Sequence, residues 1–196
     1  MKKRNIIQPP SGQTKVLLHT CCAPCSSAII EALMQNGITP VIYYCNPNIY
    51  PQQEYEIRKE ECTRYAKALG LEIVDADYDH DNWVEQIKGL EQEPERGGRC
   101  LKCFKIRLLR TAEYAREMGI KVITTTLASS RWKSLDQINE AGMWACQQIN
   151  PQGQVIWWDQ NWRKGGLQER RLQILKEFDF YNQLYCGCEF SMRKDQ

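Results

Sequence analysis

A chain of 196 residues, 42% hydrophobic and 26% charged, holds enough apolar matter for one well-packed core and is short for two, so a single domain spanning 1–196 is expected. Its 26 basic and 24 acidic side chains leave a net charge of +2, which excludes a chain-wide basic footprint; any face for nucleic acid must be local. No apolar run approaches the ~20 residues of a membrane span, and the basic residues at 2–4 lead into two prolines with no apolar stretch between, so no membrane partner is expected and a cytoplasmic location is.

Residues 1–13 are expected to form a flexible arm. The first strand is 15–19, Lys-Val-Leu-Leu-His, and it runs through Thr20 into the Cys21 to Cys25 loop. Ser26 is expected to cap the helix that follows, whose Ile29, Ile30, Leu33 and Met34 recur at helical spacing up to Gly37. A second strand at 41–45 completes a β-α-β opening. After Asn46-Pro47-Asn48, a helix is predicted over 52–69, a short strand at 72–74, a helix at 83–90, a long helix at 101–118, a strand at 121–125 and a helix at 167–178. Such alternation implies a mostly parallel, Rossmann-like α/β sheet covered on both faces, with ligands bound beyond the C-terminal ends of its strands. Cys21, Cys22, Cys25, Asn46 and the segment 124–130 should meet at that rim, and the irregular C-terminal segment should fold back over it.

The chemistry lies in ten cysteines, seven of which fall in three tight groups: Cys21-Cys22 with Cys25, Cys100-x-x-Cys103, and Cys186-Gly187-Cys188. Thiolates packed so closely repel one another and oxidise readily, which points to a metal or redox task rather than a disulfide framework in a reducing compartment. Cys100 and Cys103 have the two-ligand spacing of zinc or iron-sulfur sites. A closed zinc site takes four ligands, whereas seven cysteines stand here, and the surplus favours redox iron chemistry. Gly187 permits a sharp turn between Cys186 and Cys188, whose disulfide would be strained and easily reduced. Cys62 and Cys146 read as small buried hydrophobes, and Cys45 as a strand-end residue bordering the crevice.

Read as one ordered set, these motifs resemble the cobalamin-independent epoxyqueuosine reductases of the QueH family. The resemblance is carried by His19-Thr20-Cys21-Cys22-Ala23-Pro24-Cys25, Asn46-Pro47-Asn48-Ile49, Gly97-Gly98-Arg99-Cys100-Leu101-Lys102-Cys103-Phe104, Thr124-Thr125-Thr126-Leu127 and Tyr185-Cys186-Gly187-Cys188-Glu189-Phe190-Ser191. It implies a nucleotide-hydrolase-like (HUP or PP-loop-like) fold, a 4Fe-4S cluster, and reduction of epoxyqueuosine to queuosine in the anticodon of a queuosine-type tRNA, the last step of queuosine biosynthesis, with electrons from an unidentified donor. By similarity, Cys21, Cys22, Cys100 and Cys103 are the cluster ligands. Cys186 and Cys188 are a redox pair or ligands of one additional iron, and Cys25 fits as a further ligand of that iron.

The alternatives are a sulfonucleotide reductase, which uses similar cysteines in a different chain order, and a non-catalytic zinc-binding adaptor. Tandem cysteines in place of a phosphate-cradling glycine-rich loop count against the first. For the tRNA, the expected surface is Trp157, Trp158, Trp162, Arg163 and Lys164, extended by Arg170 and Arg171, since aromatic faces stack unpaired bases and cations meet phosphates. Asn48, Tyr55 and Arg58 are expected near the nucleotide. Tyr43, Tyr44 and Tyr185 are proton donors by position only, and none is assigned.

Overall fold

The computed structural model describes residues 6–149 and 154–192. Its elements in chain order are β1 (Lys15–Thr20), α1 (Ala23–Gln35), β2 (Thr39–Tyr44), α2 (Gln52–Ala68), β3 (Ile73–Asp75), α3 (His80–Gln86), α4 (Gly98–Glu117), β4 (Val122–Thr125), α5 (Leu135–Ile149), β5 (Ile156–Trp157) and α6 (Leu167–Glu177). The strands form one five-stranded sheet in the order β3-β2-β1-β4-β5, and every neighbouring pair is parallel. Helix α1 packs against α2 and α6, and α4 against α3 and α5. This is the expected doubly wound, Rossmann-like α/β fold.

Burial on both faces explains why the strands read as unbroken apolar runs rather than alternating ones. Val16, Leu17, Leu18, Val122 and Ile123 are fully buried, as is Tyr44. The chain order reverses at β1, whose two neighbours are β2 and β4. Such a switch point opens a crevice beyond the strand ends, because the connections on its two sides leave in opposite directions.

Several local expectations are corrected. Ser26 does not cap α1: the helix starts at Ala23 with Pro24 in its first turn, and the Ser26 hydroxyl donates back to the carbonyls of Cys22 at 3.0 Å and Ala23 at 3.2 Å. The helix expected over 83–90 runs instead over His80–Gln86, and α4 begins at Gly98 rather than Leu101, so Cys100 lies in its first turn rather than before it, one turn ahead of Cys103. Within the arm expected at 1–13, Ile7 is buried and its N–H donates to Asn36 Oδ1 at 3.1 Å; residues 1–5 lie outside the described residues. Helix α5 and strand β5 had no counterpart in the sequence reading. They meet at Gly142, where a Cβ would stand 2.2 Å from the Trp157 ring, so only glycine lets helix and strand come this close.

Candidate functional site

The turn after β1 and the start of α1 carry the first thiol group to the switch point. Cys22 is extended and Cys25 lies in the first turn of α1, so residues that point apart in a strand here converge. The sulfurs of Cys21, Cys22 and Cys25 lie within 4.8 Å of one another, an arrangement that could hold a metal ion. Across the switch point, Thr126, just after β4, accepts from the Cys21 N–H at 3.2 Å and donates to its sulfur at 3.4 Å. The Gln183 amide donates to Cys22 Sγ at 2.9 Å.

These thiols titrate as a unit. Hydrogen bonds from Cys22 and Cys25, with help from the Lys133 charge against burial, hold the Cys21 thiol well below its ordinary value. The Cys22 thiol is raised because it donates to Cys21, and Cys25 is pushed up to about 12 for the same reason. Hydrogen bonding within the triad thus favours the thiolate at Cys21 over its two neighbours.

The other four thiols border a cleft, with Cys100, Cys103, Cys186 and Cys188 all on its wall. Helix α4 places Cys103 and Arg107 one turn apart on its buried face. Arg107 donates through Nε to the Cys45 carbonyl at 3.2 Å and through Nη2 to Asn46 Oδ1, and the Asn46 amide donates to the Thr20 carbonyl at 2.9 Å. The rim after β1, the rim after β2 and α4 are thereby locked together. Cys45 serves this lock through its carbonyl, which also accepts from His19 Nε2 at 3.0 Å.

Lys133 links the two thiol groups. Its ammonium lies 3.0 Å from Cys186 Sγ. Burial opposes its charge, but the nearby sulfurs of Cys186, Cys21 and Cys25 outweigh burial and raise it above the ordinary lysine range. Arg107 is likewise raised against the opposition of burial, by the charges of Cys103, Cys21, Cys45 and Cys186. Two fixed cations inside a set of seven thiols offset the repulsion such a set would otherwise suffer. The donors are all sulfur, which fits a group ligated by thiolates.

The C-terminal turn is held over the rim by a buried ion pair. Arg58 and Glu54 meet at 2.7 Å, and the guanidinium donates to the carbonyls of Tyr185 and Cys186, each at 3.3 Å. Gly187 has φ +119°, and a Cβ there would stand 3.0 Å from Ile49 and 3.1 Å from Arg58, so the turn needs glycine for both backbone and space. Arg58 therefore positions the Cys186-Gly187-Cys188 turn, a correction to its expected place beside the nucleotide. Tyr55 is corrected too: it is fully buried, its hydroxyl donates to Asp75 at 2.6 Å, and it packs between Tyr44 and Tyr78. Asn48 fares differently. It is buried on the cleft wall with no protein partner for Oδ1, and Gln137 Oε1 on the same wall is also unpaired, while the Trp83 indole N–H faces the Cys103 sulfur.

The expected tRNA surface is not exposed as a unit. Trp162 is 1% exposed and packs edge-on against buried Trp158, so no base can stack on it as folded. Arg163 is half-buried and donates to the Ser130 and Lys133 carbonyls, while Lys164 is exposed. Arg170 forms a two-point ion pair with Glu31, at 2.6 and 2.7 Å, and Arg171 donates to the Pro24 carbonyl at 2.9 Å, so both clamp α6 to α1. Cys62 and Cys146 are buried, as expected. Neither Tyr43, Tyr44 nor Tyr185 lines the cleft.

Sequence reasoning missed Lys133, Trp132 and Arg107. The four-residue step from Cys103 to Arg107 could have found the last; nothing local marks the other two.

A parallel α/β sheet whose switch point gathers thiols beside a cationic cleft defines a thiolate-site enzyme of the Rossmann-like class. Residues 16–194 match the family model described as epoxyqueuosine reductase QueH, and the chain belongs to that family. It is 49% identical over 190 residues to the epoxyqueuosine reductase QueH of Haemophilus influenzae, covering 97% of this chain and 76% of that protein. The protein of the same name from Acinetobacter baylyi is 47% identical over 192 residues, 98% of this chain and 87% of its own length. That from Thermotoga maritima is 33% identical over 180 residues, 90% of each. Among the described residues no helix is long and apolar enough to cross a membrane.

Proposed function

We propose that this chain reduces epoxyqueuosine to queuosine within tRNA, using two electrons and two protons per epoxide and releasing the oxygen as water. Family membership supports the reaction. The observation that carries it to this site is the set of thiols on both sides of Lys133, facing a cleft with unpaired polar atoms. Cys21, Cys22, Cys100 and Cys103 would hold a 4Fe-4S cluster, with Cys25, Cys186 and Cys188 left for one additional iron or, in the last two, a redox pair. When bound, such groups supply single-electron transfers and a Lewis acid for the departing oxygen.

The chain's own residues prepare the rest. Lys133 and Arg107 hold positive charge where thiolates and a developing alkoxide would otherwise repel. Asn48 Oδ1 and Gln137 Oε1 offer two acceptors to a polar ligand, since buried polar groups without partners are costly unless a ligand satisfies them. Arg58 keeps Cys186 and Cys188 at the rim.

The test is anaerobic reconstitution followed by iron and acid-labile sulfide analysis, then incubation with tRNA carrying epoxyqueuosine and a chemical reductant. Digestion to nucleosides should reveal a product lighter by one oxygen atom. A protein that holds zinc without sulfide, or a reconstituted protein that leaves the epoxide intact, would overturn the proposal.

A further inference from the structure

Between β4 and α5 the chain makes a short loop over residues 130–133, and its four successive carbonyls are all taken by guanidinium groups. Arg163 Nη2 donates to the carbonyl of Ser130 at 2.5 Å and to that of Lys133 at 2.7 Å. Arg96 donates to Arg131 and Trp132 through Nη2 and Nε, each at 2.9 Å. The Ser130 hydroxyl accepts from the Trp132 N–H at 3.3 Å, and Lys133 reaches inward to Cys186. A loop held at every carbonyl has little conformational freedom left to lose when it binds a partner.

What this clamped loop presents is a tryptophan. Trp132 is 65% exposed although it also lines the thiol cleft, so the ring stands at the mouth of the site with most of its surface in water. The Arg131 guanidinium lies 4.9 Å from the ring centroid. Among the described residues, the cleft wall carries four cations, Arg96, Arg99, Arg107 and Lys133, against a single carboxylate, Glu95. An exposed aromatic ring beside a cationic cleft suits a ligand with flat unpaired bases and anionic linkages.

We propose that Trp132 is the stacking platform for an unpaired base of the tRNA loop next to the nucleotide being reduced, and that Arg131 meets a neighbouring phosphate. The assignment rests on the proposed tRNA substrate. It transfers to this loop the stacking role expected of Trp162, whose burial leaves no face free. Arg163 then acts on tRNA binding indirectly, as a brace of the loop.

The experiment measures the affinity of the reconstituted enzyme for tRNA carrying epoxyqueuosine across a salt series, in wild type, Trp132→Ala, Trp132→Phe and Arg131→Ala. Trp132→Ala should weaken binding roughly tenfold or more, with its salt dependence unchanged. Trp132→Phe should recover most of that loss, because a phenyl ring still stacks. Arg131→Ala should make the dependence of log K on log salt shallower by about one. Iron content and thermal midpoint should match wild type in all three, which separates lost stacking from misfolding. Wild-type affinity in Trp132→Ala would overturn the assignment, as would a loss confined to reduction by a protein electron donor, which would make this loop a redox-partner surface. A wild-type enzyme that neither binds nor reduces the tRNA would sink the proposed function itself.

Discussion

Arg58, in the middle of α2, donates to the backbone carbonyl of Cys186 across 128 positions of sequence, while its other face is paired with Glu54. A side chain that resembles a solvated helix charge is therefore the fastening of the C-terminal thiol turn. Replacing Arg58 by Met alone should destabilise the protein by about 3–5 kcal/mol, because Glu54 is left buried without its cation, with only the Tyr181 hydroxyl donating to it at 2.8 Å. The double change Glu54→Gln with Arg58→Met should recover much of that stability, yet amide exchange at 185–188 should quicken and turnover fall. Unchanged exchange in the double variant would show that the turn is held by other contacts.

The cysteine groups should separate by analysis. Cys100→Ala and Cys103→Ala are each expected to lose cluster sulfide and visible absorbance together, since an open coordination position destabilises the cluster. Cys25→Ser should keep the sulfide and lose only the additional iron. Cys186→Ser and Cys188→Ser should stop turnover even where sulfide is retained. Loss of sulfide in Cys25→Ser would instead make the close triad of Cys21, Cys22 and Cys25 the cluster's own ligand set.

His19 supplies a pH test. Burial, then the Arg107 charge, lowers its pKa from 6.5 to about 3. Its Nδ1 lies 2.7 Å from Thr125 Oγ1, which accepts from the Leu127 N–H; the hydroxyl proton is thus donated to Nδ1, and Nε2–H donates to the Cys45 carbonyl. The folded state holds this ring neutral, so its contribution is complete above pH 6.5 and is lost as the pH falls toward 3, where the unfolded chain binds a proton that the folded chain does not. Across that window metal-free wild type should lose up to about 1.4 kcal/mol per pH unit more than His19→Gln. Equal slopes in denaturant titrations at several pH values would refute this.

Two packing predictions follow from buried rings. Trp162→Ala should cost about 3–5 kcal/mol in chemical denaturation, as a truncated core aromatic does, and its effect on tRNA binding should track only the unfolded fraction. Gly142→Ala should cost about 1–3 kcal/mol, because the added methyl group has to displace the Trp157 ring.

The sequence by itself determined the elements whose signals are local. Apolar runs followed by glycine-punctuated helical periods establish the parallel α/β plan, and three tight cysteine groups announce sulfur chemistry at the rim. Boundaries slipped where side chains compete with simple signals: Pro24 starts α1 ahead of Ser26, and Gly98 starts α4 ahead of Leu101. Strand β5 has two residues, too few for any period to show.

Only the tertiary structure decided which polar and aromatic residues serve the site. Whether a tryptophan is core or surface depends on what packs against it, so Trp162 and Trp132 are indistinguishable in sequence and opposite in space, at 1% and 65% exposure. The same holds for charge: Arg58, Arg163 and Arg170 were expected to meet nucleotide or tRNA, and each is spent on a carbonyl or carboxylate far away in the chain. The bond from Lys133 to Cys186 spans 53 positions. Hydrophobic period and cysteine spacing are properties of neighbours in the chain, whereas ion pairs, clefts and exposed rings are properties of neighbours in space.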